Sequence, residues 1–303
     1  MKRKIIQIAE STQLVSLPRK WALRHGLKKG DEVEVIEEGD EVIIQTGKEA
    51  KQEAVTIDLT KSGRLAERFL ITAYRSGYDE VRILYKDPDI LQRLQKTASN
   101  ILLGFEIVSQ SENLCIFRNI STSMGSEFEN ILRRVFFITL DLARNTYEAI
   151  NNGQYTRLSE GLALEMANNK FTLFCQRVLN KHGEGSYKRT TYLFLTAYQL
   201  EKIADHYKYV CEYLVKEKNK KLRKETLKFF KDTNAFFEAF HDYFYKYDTA
   251  KAAALADQYV VLNKIAQKTF QTVPNFEDEI VYNLLSVVQL TFNLVSIRIG
   301  LEL

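Results

Sequence analysis

Cysteine is scarce in this chain of 303 residues, and its placement excludes two classes of site. Cys115, Cys175 and Cys211 lie far apart, so they form neither the CxxC spacing of a metal knuckle nor the paired pattern of a disulfide framework. We read them as buried thiols in a reducing compartment, which favours a cytoplasmic protein.

Targeting and membrane signals are also lacking. The first residues, MKRKIIQIAEST, have a basic start without a long apolar stretch, so we expect no signal peptide. No uninterrupted apolar run reaches about 18 residues, so we predict no transmembrane helix and no membrane insertion.

Catalytic motifs are missing as well. The sequence has no Gly-rich phosphate loop, no Ser/His/Asp set and no Cys/His pair. Glu238 and His241 form one ExxH motif, but a di-iron carboxylate bundle needs two of them and two further glutamates. We therefore predict that the chain is not an enzyme.

What is present indicates a folded protein of two or three domains. Hydrophobic residues make up 45% and charged residues 27% of the chain, as in ordinary globular proteins. The net charge of +4 is mild and does not by itself call for nucleic acid.

Residues 1–48 read as a small β unit. A helix is predicted to begin at Pro18 and to end at Gly26. Alternating and β-branched runs predict strands at 5–8, 13–17, 33–35 and 42–45, with turns at Gly30-Asp31 and Gly39-Asp40. A segment this short can hardly bury a core alone, so a partner copy is expected.

This unit resembles the SpoVT/AbrB swapped-hairpin domain. The matching positions are Ser16-Leu17-Pro18, Gly26-Leu27, Lys29-Gly30-Asp31, Val33 and the closing Asp40-x-Val-Ile-Ile. Two chains of that family interleave their hairpins into one small β-barrel, so the resemblance implies a homodimer.

Charge within the unit is polarised. Residues 1–30 hold eight Lys or Arg against Glu10 alone, whereas residues 31–48 hold Lys48 against seven acids. Two copies would double the basic set, which could neutralise DNA phosphates. The candidate DNA-binding residues are Arg3, Lys4, Arg19, Lys20 and Arg24. The alternative is a dimerisation module whose basic end meets only water.

Residues 54–121 follow a short charged linker at 49–53 and change the pattern to β-α-β-α-β-β. That order predicts a small α/β sandwich with a spacing or dimer-contact role. From 126 to 303 the chain is predicted to be all helix. The six predicted helices cover 126–151, 154–181, 186–218, 220–247, 249–272 and 275–301.

The third of these helices carries a recognisable run. Leu200, Glu201, Ile203, Ala204, Asp205 and His206 match the signature helix of PhoU proteins, whose ExxxD motif binds metal. The resemblance implies a bundle of two three-helix repeats, and over its whole length the chain resembles archaeal PhoU-like proteins.

One metal site is predicted on this basis. Its candidate ligands are Glu165, Asn169, Glu201 and Asp205, which would suit one divalent or iron cation better than zinc. Gln289 and Asn293 stand where the second repeat would need acids, so a second site is not expected. A polar layer that holds no metal is the alternative.

The resemblances imply a DNA-binding transcriptional regulator of phosphate uptake that acts as a dimer. The alternative is a non-DNA-binding accessory protein that dimerises through the same unit and regulates a phosphate transporter component or a signalling protein.

Overall fold

The computed structural model describes residues 2–8, 12–38, 41–46, 52–120, 127–217 and 220–303. It divides the chain into two compact units, Met1–Gln52 and Glu53–Leu303. The predicted turn at Gly39-Asp40, the linker residues 49–51 and the predicted helix start at Ser126 lie outside the described residues.

The first unit consists of two antiparallel hairpins and one short helix. Strand β1 (Ile5–Ile8) pairs with β2 (Thr12–Val15), and β3 (Glu34–Glu38) pairs with β4 (Glu41–Gln45). The hairpins form two separate sheets, with helix α1 (Arg19–Arg24) between them in the sequence. A two-stranded hairpin alone is marginally stable in water, and none of the described residues of this unit is buried. The swapped-hairpin barrel, which requires two chains, stays a prediction.

The second unit begins with a four-stranded sheet. Its elements follow the predicted order, and they are β5 (Ala54–Asp58), α2 (Ala66–Arg75), β6 (Glu80–Leu84), α3 (Pro88–Ile101), β7 (Phe105–Gln110) and β8 (Leu114–Asn119). The strand order is β5-β6-β8-β7, with β5 and β6 parallel and the other pairs antiparallel. Alternate residues such as Val81, Ile83 and Phe117 are buried in one core with Leu70 of α2 and Leu94 of α3.

Six long helices form the remainder of this unit as one bundle. They are α4 (Phe128–Asn151), α5 (Leu158–His182), α6 (Tyr187–Lys216), α7 (Lys224–Tyr245), α8 (Thr249–Thr272) and α9 (Asp278–Glu302). Side chains cap two of the starts: Ser186 accepts from the Arg189 amide at 3.1 Å, and Asp248 accepts from the Ala250 amide at 2.7 Å. Phe229, Phe236 and Phe240 of α7 are buried in the bundle core.

Helix α9 is apolar enough to need comment. By length and composition alone the segment Asn275–Glu302 could cross a membrane. In the fold it packs against α6, α7 and α8, and residues such as Leu284, Val288 and Leu294 are buried in the bundle. It contributes a buried face to the bundle core, which accounts for much of its apolar character.

A buried arginine fastens the sheet layer to the bundle. Arg177 of α5 donates to the carbonyl oxygens of Tyr74 at 2.8 Å and Tyr78 at 2.7 Å, and to Asp79 at 3.2 Å. Its guanidinium also lies 4.9 Å from the centre of the Tyr74 ring, and Lys181 forms a second ion pair with Asp79. This Arg177–Asp79 clamp ties the last turn of α2 and the loop before β6 to α5.

Candidate functional site

The five candidate DNA-binding residues are all exposed in the first unit. Arg19, Lys20 and Arg24 lie on α1, which has no acid in its first turn, while Arg3 and Lys4 immediately precede β1. Pro18 starts the helix with an extended backbone that suits an N-cap position. We refer to Arg3, Lys4, Arg19, Lys20 and Arg24 as the basic surface. Its five side chains are positively charged and exposed, so they can contact phosphates.

Apolar side chains of the same unit face water in the single chain. None of its described side chains is buried, and Ile5, Leu23 and Val42 are each more than 60% exposed. Exposed apolar surface on this scale marks a site of association, because burying it removes apolar area from water. These exposed apolar side chains of the first unit are available to pack against another protein surface.

A second group, of polar and charged residues, lies on the facing sides of α5 and α6, and we call it the α5–α6 polar cluster. Its members are Glu165, Asn169, Glu201, Lys202, Asp205 and Lys208. The helical spacing of three or four residues turns the members on each helix toward the same side. The structure thus brings the four predicted metal ligands onto two neighbouring helices.

Lysines hold the carboxylates of this cluster. The Lys208 ammonium lies 2.7 Å from Glu165 Oε1 and 2.8 Å from Asp205 Oδ1. The Lys202 ammonium lies 3.1 Å from Asp205 Oδ2 and 3.0 Å from Glu201 Oε2. Asn169 donates from Nδ2 to Glu165 Oε1 at 2.7 Å. Glu165 and Asp205, which lie on different helices, therefore share the Lys208 ammonium.

The pKa values in the cluster follow from burial and these ion pairs. Burial is the largest influence on Glu201 and raises the pKa of its carboxyl, while Lys202 offsets only part of that effect. Burial alone would also raise the pKa of Asp205, but Lys208 and Lys202 outweigh it and lower that pKa below its ordinary value. The same contacts overcome desolvation and raise the pKa of Lys208. Asp205 and Lys208 are therefore an ionised pair at neutral pH.

The oxygen atoms of the α5–α6 polar cluster do not fit a metal ion while the Lys208 ammonium lies between Glu165 and Asp205. Glu165 and Asp205 direct oxygens at the ammonium, and Glu201 pairs with Lys202 instead of converging on the same point. In the part of the chain that the structure describes, no three His, Cys, Asp or Glu side chains form a group that could hold a metal. The metal site on Glu165, Asn169, Glu201 and Asp205 stays a prediction.

His206 follows the ExxxD motif and serves a different contact. Its Nδ1 lies 2.8 Å from Asn283 Oδ1, and Asn283 donates from Nδ2 to the Glu279 carbonyl at 2.7 Å. Since the Asn283 Oδ1 is then the acceptor, Nδ1 of His206 carries the proton. This hydrogen bond joins α6 to α9.

The sequence reading missed the residues that balance the charge of these sites. Lys202, Lys208, Arg177 and Asp79 were not singled out. The spacing of Lys202 and Lys208 three residues to either side of Asp205 was an available signal, since such pairs meet on a helix. No signal of this kind marks Arg177 and Asp79, which lie 98 residues apart.

Comparisons with known proteins bear on both ends of the chain. Residues 6–52 match the family model described as antidote-toxin recognition MazE, bacterial antitoxin. The predicted resemblance to the SpoVT/AbrB domain is thereby confirmed as a MazE/AbrB-like domain at residues 6–52. None of the curated proteins compared with the chain matches it.

One solved structure is similar to the chain. It is the phosphate transport system regulatory protein PhoU from Streptococcus pneumoniae, with a TM-score of 0.48 and 15% sequence identity, covering 59% of this chain and 94% of that chain.

Proposed function

We propose that the chain is a DNA-binding regulator that acts as a dimer through its first unit. The observation that carries this proposal is the match of residues 6–52 to the MazE antitoxin model, together with the exposed basic surface in the same residues. Side chains of Arg and Lys on a short helix can contact backbone phosphates and release counterions.

Dimerisation is supported by the exposed apolar residues of the hairpins. Ile5 and Ile8 of β1 and Leu14 of β2 are between 46% and 67% exposed in one chain. A second copy would cover such residues and would place two basic surfaces on one assembly. Two copies bind duplex DNA more strongly than one, since each adds its own phosphate contacts.

The helical bundle is proposed to report phosphate status. The support is the resemblance of residues 200–206 to the PhoU signature helix, and the similar solved structure is that of a PhoU protein. A ligand or partner that binds the bundle would regulate DNA binding only through a difference in its affinity for two states of the protein.

Retention of a short duplex of mixed sequence in a gel-shift titration tests the proposal. The substitution set Arg19→Ala, Lys20→Ala and Arg24→Ala removes six charges from a dimer. We expect weaker binding and a salt slope, log Kd against log salt concentration, that falls by up to about 5.

The matched control carries Lys251→Ala, Lys264→Ala and Lys268→Ala. These three lysines are exposed on α8, so the control loses the same charge from the second unit. It should bind as the unsubstituted protein does. If the unsubstituted protein fails to retain the duplex at low salt, DNA binding is refuted, and the accessory protein that regulates a transporter or signalling partner becomes the better assignment.

A further inference from the structure

We propose that Lys208 is the resident cation of the α5–α6 polar cluster. Its ammonium occupies the position between Glu165 and Asp205 where a divalent metal ion would otherwise bind, so the bundle is complete without metal. This inference is independent of the proposed DNA binding and concerns the second unit alone.

The first argument is geometric. A single nitrogen, Lys208 Nζ, lies 2.7 Å from an oxygen of Glu165 and 2.8 Å from an oxygen of Asp205. These are lengths of charge-assisted hydrogen bonds, and the two oxygens come from different helices. One cation thus bridges α5 and α6, which is the structural task that a metal ion would perform at this place.

Burial makes a cation necessary at this position. The side chains of Glu165 and Asp205 are only 8% and 11% exposed, and that of Lys208 is 20% exposed. Carboxylates so far from water are costly unless a positive charge and hydrogen bonds compensate them. Lys208 supplies both, and its position 5.2 Å from the centre of the Tyr209 ring adds a further favourable contact.

Charge balance argues against a metal ion in addition to the lysine. The cluster has three carboxylates, on Glu165, Glu201 and Asp205, against two ammonium groups. A divalent ion would turn this small excess of negative charge into an excess of positive charge beside Lys208. A metal ion can therefore bind only when the Lys208 ammonium has left the cluster. Its apparent affinity is the intrinsic affinity multiplied by the fraction of molecules in which the ammonium has left.

An oxygen donor of the cluster remains available if the lysine leaves. Asn169 Nδ2 donates to Glu165, while Asn169 Oδ1 is buried and has no hydrogen-bond partner in the described part of the chain. With Glu165 and Asp205 it would give three oxygen donors, the type of ligand that Mn²⁺ and Mg²⁺ prefer. Removal of the ammonium should therefore create a metal site.

Calorimetric titration of the full-length protein with MnCl₂ tests this inference. We expect no measurable binding to the unsubstituted cluster and binding to Lys208→Met. If the ammonium leaves the cluster about 1% of the time, the substitution tightens Mn²⁺ binding by about 100-fold. The matched control is Lys228→Met, which removes an exposed lysine that lies 2.7 Å from Asp232 on α7. It should bind no more Mn²⁺ than the unsubstituted protein.

Further substitutions keep the experiment decisive. Adding Asp205→Ala to Lys208→Met removes a ligand and should abolish the gained Mn²⁺ binding. If Lys208→Met does not fold, Lys208→Gln replaces it in the test, because it removes the positive charge, keeps an N–H donor for the carboxylates and leaves Glu165, Asp205 and Asn169 unchanged. The inference is overturned if the unsubstituted protein binds Mn²⁺ as tightly as the variant does, which is what the sequence-based metal prediction expects. It is equally overturned if the folded variant binds none.

Discussion

Replacing Arg177 by methionine is the most direct test of how the two layers of the second unit are held together. The side chain is 4% exposed and donates three hydrogen bonds, to two carbonyl oxygens and to Asp79. Methionine fills much of the same space but donates none of them. The carbonyls of Tyr74 and Tyr78 lose this donor, and Asp79 keeps only Lys181 as a side-chain cation.

The expected loss of stability follows from those contacts. A hydrogen bond to a charged group contributes about 1.5–3 kcal/mol, and breaking a buried ion pair costs about 3–5 kcal/mol. Because Lys181 still compensates Asp79, we place the loss at the lower end, about 3 kcal/mol. For a unit of this size that corresponds to a fall in Tm of about 6–12 °C.

Two measurements check this expectation. Thermal melting followed by circular dichroism gives the fall in Tm, and hydrogen exchange shows whether amides of α2 lose protection more than those of α7. The control is Arg144→Met, since the Arg144 side chain is 55% exposed and lies 3.8 Å from Asp141. Such a surface pair contributes less than about 1 kcal/mol. A Tm for Arg177→Met equal to that of the control, with unchanged exchange in α2, would refute the role assigned to the clamp.

Two further predictions concern carboxylates. Glu277 is fully buried and accepts from the Arg223 amide at 3.0 Å and from the Thr226 hydroxyl at the start of α7, so Glu277→Ala should destabilise the bundle by about 3 kcal/mol in urea denaturation. Hydrogen bonds, first from Arg118 on the paired strand, lower the pKa of Glu80 below its ordinary value. The ion pair is therefore formed above the unfolded-state pKa and lost as pH falls through the folded-state value; NMR titration should show Arg118→Met raising the pKa of Glu80.

Both predictions about carboxylates can be contradicted by a single measurement. Glu225 is exposed in the first turn of α7, so Glu225→Ala serves as the control for Glu277 and should change the unfolding free energy by less than about 0.5 kcal/mol. Equal effects of the two substitutions would show that Glu277 does not hold the helix start. An unchanged Glu80 pKa in Arg118→Met would show that the cross-strand pair is not formed in solution.

The order of the elements could be predicted from local pattern. Hydrophobic periodicity and turn residues placed α6 at 186–218, against Tyr187–Lys216 in the structure, and α8 at 249–272, as observed. Both helices begin after a residue that caps by its side chain, Ser186 or Asp248, which is a signal visible in sequence. The start of α5 was placed four residues early, because Tyr155–Arg157 forms a 3₁₀ turn that has similar periodicity.

The charge partners could not be predicted in the same way. Periodicity identifies which face of a helix is apolar, but the neighbour of a charged side chain depends on how distant segments pack. Arg177 looks like a surface residue near the end of a helix until the sheet layer covers it. Lys208 likewise reads as a solvated lysine beside an acidic motif, although its nitrogen reaches Glu165, 43 residues away. Family resemblance led to the acids of this site but not to the lysine among them.

Helix α5 joins the α5–α6 polar cluster and the Arg177–Asp79 clamp in one continuous segment. It bears Glu165 in its first half and Arg177 and Lys181 near its end, and the rise along the helix from Glu165 to Arg177 is about 18 Å. The same helix therefore contributes to both contacts, so a change in its position at the α5–α6 polar cluster would also alter the Arg177–Asp79 contact with the sheet layer.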